Sequence, residues 1–145
     1  MGPGRGLDNA LIDPGATPSA QIIEEATAAI NRGDPDAFLR PMSADFELDL
    51  SRAIGPFKGC YGRERVAEFL AEFTGSWESL QIEVNELIEA DGLVVAPATL
   101  HGKGRAGIEV TARPTFVWAI KDGLVERLTM YQEREDALAD LGLAG

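Results

Sequence analysis

Residues 46–70 read FELDLSRAIGPFKGCYGRERVAEFL. Phe46, Leu48 and Leu50 alternate with Glu47 and Asp49, the period of a strand with one buried face. Val66, Phe69, Leu70 and Phe73 recur at helical spacing, so "GRERVAEFLAEFTG" predicts a helix with one apolar face, closed by Gly75. A loop rich in glycine and proline joins the two. Asp49 is the residue this stretch leaves open. It is either a general base inside a pocket, or a solvated carboxylate whose strand turns Phe46, Leu48 and Leu50 to the core.

Towards the amino terminus, Thr17-Pro18 is a capping residue followed by proline at the first helical position. In "SAQIIEEATAAINRGD", Ile22, Ile23, Ala26 and Ile30 share one face, and Gly33 ends the helix. Asp34-Pro35 then caps a short second helix with Phe38 and Leu39 inward. Residues 1–18 read as a flexible arm, without the apolar core of a signal peptide. The domain is expected over 19–145. Gly6 breaks a myristoylation pattern.

Towards the carboxyl terminus the chain is mostly strand. "SLQIEVNELIEA" alternates at Leu80, Ile82 and Val84, and Asp91-Gly92 is a hairpin turn. Pro97 inside "LVVAPATLHGKG" implies an edge or a bulge. "GIEVTARPTFVWAI" is the longest strand, and Lys121-Asp122-Gly123 turns it into "LVERLTMYQERE". "DALADLGL" can form a closing helix. In "TFVWAI", Phe116, Trp118 and Ile120 face one way and Thr115, Val117 and Ala119 the other, with little polar on either side. Such a strand is covered twice. Helices cover one face, and a second subunit is expected on the other, giving a homodimer through the outer sheet face. Three helices leading into a curved antiparallel sheet make an α+β domain.

At 145 residues, 45% apolar and 26% charged, the chain is one soluble domain. Its net charge of −11, with 13 scattered basic residues, disfavours nucleic acid and anionic membrane as partners. No apolar run matches a membrane span. A single cysteine, Cys60, fits a reducing cytoplasm, and its neighbours Gly59, Tyr61 and Gly62 offer no base to activate it. One histidine and no acidic cluster at ligand spacing argue against a metal. "GKGRAG" lacks the context of a phosphate loop, so no cofactor is expected.

The order of these elements, with "G-x-x-G-R-E-x-V-x-x-F" at 59–69 and "V-W-x-I-x-D-G-x-V" at 117–125, resembles the nuclear transport factor 2-like cone. That group includes SnoaL-like polyketide cyclases, ketosteroid isomerase and limonene epoxide hydrolase. The resemblance covers about residues 19–141 and implies a cone-shaped sheet around an apolar cavity. It sets Asp49 where ketosteroid isomerase carries its catalytic aspartate, the base beside a carbonyl. That enzyme's donor positions correspond to Ala26 or a neighbour and to the strand near Thr115, which leaves a developing enolate with little stabilisation. The positions of the epoxide hydrolase apparatus correspond to Pro97, Thr99 and Met130, which cannot serve.

By the same resemblance the cavity is expected to be faced by Asp49, Thr99, His101, Arg113, Thr115, Val117, Leu128, Met130 and Gln132, with Phe69 from the helix. The implied function is binding of a small, mostly apolar or carbonyl-containing molecule. If there is chemistry, Asp49 is the base, and His101 or Arg113 the electrostatic partner. A non-catalytic ligand-binding or assembly domain is the alternative, and a partner surface around Phe116 and Trp118 a weaker one. His101 precedes a hairpin tip and either lines the mouth or lies exposed. Arg113 reads first as a structural bridge to Asp49 or Glu47, and second as a fork for a substrate carboxylate.

Overall fold

The computed structural model describes residues 17–53 and 57–143. The arm expected over 1–18 lies, but for its last two residues, outside them. Helix α1 (Pro18–Asn31) starts where Thr17 Oγ1 accepts a hydrogen bond from the Ala20 N–H at 3.0 Å. Asp34 does the same for α2 (Pro35–Leu39), accepting from the Ala37 N–H at 3.1 Å. Strand β1 (Met42–Leu50) and short β2 (Gly59–Gly62) precede α3 (Arg63–Gly75). Then come β3 (Trp77–Val84), β4 (Ile88–Ala90), β5 (Leu93–Gly104), β6 (Glu109–Ala112), β7 (Thr115–Lys121) and β8 (Leu124–Tyr131). Helix α4 (Arg134–Asp140) closes the described chain.

The sheet runs β2-β1-β8-β7-β5-β3, with β4 and β6 also paired to β5. This is the expected α+β cone with one difference: β1 and β8 are parallel, so the sheet is mixed. A parallel neighbour needs a long crossover, and everything from β2 to β7 supplies it. Both Asp-Gly pairs form the expected hairpin turns, with positive φ at Asp91, Gly92, Asp122 and Gly123. Pro97 is not on an edge strand. It sits where β5 changes partner, from β4 to β3 on one side and from β7 to β6 on the other, where a missing N–H interrupts the ladder least.

Helices α1 to α3 cover one face of the sheet, around Ile23, Phe38, Phe46, Val66, Leu128 and Trp118. The other face of β7 is covered by α4, which packs Ala137 with Val95, Val117 and Tyr131. The cover that the sequence assigned to a second subunit over Val117 therefore comes from the chain's own last helix. Trp118 is buried under the opposite layer and offers no partner surface. None of the described helices is long and apolar enough to cross a membrane.

Candidate functional site

Between the helices and the sheet lies a cavity of about 460 Å³. Its floor is made of buried Phe38, Leu48, Leu70 and Leu128. One wall is aromatic: Phe69 stacks on Phe73 at 5.7 Å between ring centres, and Phe57 meets both rings edge-on at 5.5 and 5.4 Å. Leu100 and Phe116 supply the strand side. The cavity opens where its lining is exposed, at Val110, Ala112, Arg113 and Gln132.

Of the expected cavity residues, Phe69, Leu128, Met130, Gln132 and Arg113 line it. Thr115 and Val117 do not; they are buried on the other face of β7, and Phe116 takes the inner position. The cause is a bulge in the β7–β8 hairpin. Lys121 pairs with Leu124 and Ile120 with Val125, but Ala119 then pairs with Arg127, leaving Glu126 over. Without the extra residue Val117 would oppose Leu128 and share its face; with it, Trp118 does. Thr99 and His101 are likewise on the outer side of β5, opposite in parity to Leu100. Thr99 Oγ1 accepts a hydrogen bond from Asn85 Nδ2 at 2.9 Å. His101 Nε2 is half-exposed, 3.5 Å from Glu83 Oε1. His101 is therefore at the surface and not at the mouth.

Asp49 is buried, yet it is not in the cavity. Leu48 and Leu50 line the cavity, and alternation turns Asp49 to the opposite face. There its Oδ1 accepts from the Ser51 N–H at 2.9 Å and the Ser51 hydroxyl at 2.6 Å, and the Cys60 thiol lies at 3.4 Å. Its Oδ2 accepts from Arg127 Nη2 at 2.7 Å, while Arg127 Nη1 holds Glu47. Burial alone would raise the Asp49 pKa, but the hydrogen bonds from Ser51, Arg127 and Cys60 together outweigh it and hold the carboxyl far below its ordinary value. A carboxylate so stabilised is a poor base. Neither sequence reading of Asp49 describes it: the strand faces the way the solvated reading required, but the carboxylate is clamped instead of solvated.

The clamp extends to α4. Arg52 lies 3.7 Å from Asp49 and 3.5 Å from Asp140, and its guanidinium stacks 4.5 Å over the Tyr131 ring. Tyr131 donates to Asp140 at 2.5 Å; burial and that bond push its phenol up to about 12. The Cys60 thiol is pushed up by desolvation and by the carboxylates of Asp49 and Glu47, away from a reactive thiolate.

Arg113 was expected in mid-strand beside Asp49 or Glu47. Arg127 holds both of those, and Pro114 breaks the long strand so that Arg113 stands in the gap between β6 and β7. Among the described residues lining the cavity, Arg113 is the only charged group and Gln132 the only other polar side chain. Such a lining can hold and orient a molecule. No cluster of three or more metal-ligating side chains occurs among the described residues.

The family model for the SnoaL-like domain matches residues 23–128. No curated protein matches the chain by sequence. Among solved structures, TerC co-crystallised with polyporic acid superposes with a TM-score of 0.72 at 22% identity, covering 88% of this chain and 98% of that one. Delta 5-3-ketosteroid isomerase from Mycobacterium sp. gives 0.70 at 17% identity, covering 82% and 95%. RV0760c from Mycobacterium tuberculosis, in complex with estradiol-17beta-hemisuccinate, gives 0.69 at 16% identity, covering 82% and 96%. At these identities the likeness is one of fold.

Proposed function

This chain belongs to the SnoaL-like domain family, and on that premise we propose that it binds a small, mostly apolar molecule inside the cone. The observation that carries the reading is the cavity itself: about 460 Å³, apolar from floor to wall, with its polar groups at the mouth. That size and pattern are those of small-molecule sites. The complexes of TerC with polyporic acid and of RV0760c with estradiol-17beta-hemisuccinate support it, since cones of this fold accept organic molecules.

An acid–base reaction run by Asp49 finds no support in this geometry, because the carboxylate is on the far face of the sheet. His101 lies on the outer side of β5. The described wall offers no carboxylate to take a proton from a carbonyl compound, so what these residues do is bind and orient. A homodimer through the outer sheet face loses its Val117 support, since α4 packs on that residue.

The test is calorimetric titration of 2-naphthalenemethanol, a neutral apolar probe, into the wild type and into Leu100→Trp, which fills the cavity from β5. The wild type binds saturably, and the variant, checked by urea denaturation to be folded, binds about tenfold more weakly or worse. Equal binding to both proteins places the probe elsewhere and ends the reading.

A further inference from the structure

We propose that the molecule bound in the cone is an apolar carboxylic acid, its carboxylate held by Arg113 at the mouth. The inference rests on the cavity-binding reading and adds the chemical class of the ligand. It begins with the one charged group in the described cavity lining. The chain carries 24 acidic and 13 basic residues. Of the twelve lysines and arginines among the described residues, Arg32, Arg52, Lys103, Arg127 and Arg134 pair with carboxylates. Among the described residues Arg113 pairs with no carboxylate and is the only charged group that lines the cavity.

The backbone fixes where that cation stands. Ala112 pairs with Leu100 and Thr115 with Pro97, and the Ala98 N–H donates to the Pro114 carbonyl at 2.9 Å. Arg113 is thus tied to β5 on both sides, and Pro114 restricts its backbone further. A planar guanidinium on a pinned backbone suits a planar carboxylate, which accepts two parallel N–H bonds. Beneath it the cavity takes only apolar substance. A molecule matching both parts has a ring or branched hydrocarbon body and one anionic end.

The net charge of −11 opposes an anion at a distance, but solvent ions screen that field within about 8–10 Å, whereas the Arg113 contact acts at hydrogen-bond range. The local cation decides the sign of the discrimination.

The experiment titrates 2-naphthoic acid and methyl 2-naphthoate, which share a body and differ in charge at neutral pH, into the wild type, Arg113→Gln and Arg113→Lys. The wild type prefers the acid by about three- to tenfold. Arg113→Gln removes that preference while ester binding stays within about twofold, and Arg113→Lys restores part of it. If the ester binds the wild type as well as the acid, or if Arg113→Gln weakens both alike, the carboxylate assignment falls and the cavity reading stands. If neither compound binds, both fall together. Urea denaturation of each variant confirms the fold, and Lys serves as the second variant should Gln fail to fold.

Discussion

Asp49 and Arg127 meet on the sheet face opposite the cavity, Oδ2 2.7 Å from Nη2, joining parallel neighbours β1 and β8. Through Ser51, Cys60 and Arg52 the same carboxylate reaches the end of β1, strand β2 and helix α4. It organises the outer face of the cone.

Asp49→Asn should therefore cost stability and leave cavity binding alone. Losing a buried, charge-assisted acceptor removes about 1–3 kcal/mol. A carboxylate whose folded pKa is depressed, as that of Asp49 is, stabilises fully above the ordinary unfolded value of about 3.9. That stability is lost as pH falls below it towards the folded pKa. The difference between wild type and variant is accordingly constant from pH 7 to 5 and shrinks below about pH 4. Urea denaturation at pH 7, 5 and 3 measures it. A variant as stable as the wild type at pH 7 would mean the clamp is idle.

Asn31 sits at the edge strand of the described sheet. Among the described residues strand β3 pairs with β5 on one side only, and at Ile82 the Asn31 side chain acts as a strand on the other. Nδ2 donates to the Ile82 carbonyl at 2.9 Å, and Oδ1 accepts from the Ile82 N–H at 2.7 Å. Asn31→Ala leaves both backbone groups without that partner and should lose about 1–3 kcal/mol. It should also speed hydrogen exchange at the Ile82 amide above that of its β3 neighbours. Unchanged protection at Ile82 would contradict the role.

Gly102 is small because Trp77 lies across it. A Cβ at position 102 would stand 2.4 Å from Trp77 Cζ3 and 2.6 Å from Cε3, atoms of a rigid ring. Gly102→Ala should displace the indole, cost about 1–3 kcal/mol and shift Trp77 emission to the red. The measurement is best made with Trp118→Phe, so that one indole reports. An unshifted spectrum would show that the ring is not seated on the glycine.

The fold was legible because its signals are local and consistent: two capped helices, two Asp-Gly hairpins and the amphipathic stripe of α3. The cavity was half legible. Leu128, Met130, Gln132, Arg113 and Phe69 follow from the family resemblance and line the cavity, but a single extra residue at Glu126 shifts β8 by one, so that Leu128 and Met130 share the inner face with Trp118 and Phe116 and not with Val117 and Thr115. A bulge of that kind leaves no mark in the apolar pattern when both faces of a strand are apolar. Asp49 was misplaced for a different reason. Alignment put it at a catalytic position, while its own neighbours Leu48 and Leu50 already gave the orientation. The partner of Asp49 was also hidden, since Arg113 and Arg127 are equally distant prospects until the parallel β1–β8 register brings Arg127 alongside.

On the proposed reading a ligand binds in the cone cavity and not on the Asp49 face. Methyl-selective NMR during titration with 2-naphthalenemethanol tests it most directly. The expected result is that the Leu48, Leu128 and Met130 methyls shift together and saturate with one binding constant, while the Thr129 methyl, beside Asp49 on the outer face, stays in place. Shifts led by Thr129, or none at the three cavity methyls, would contradict it.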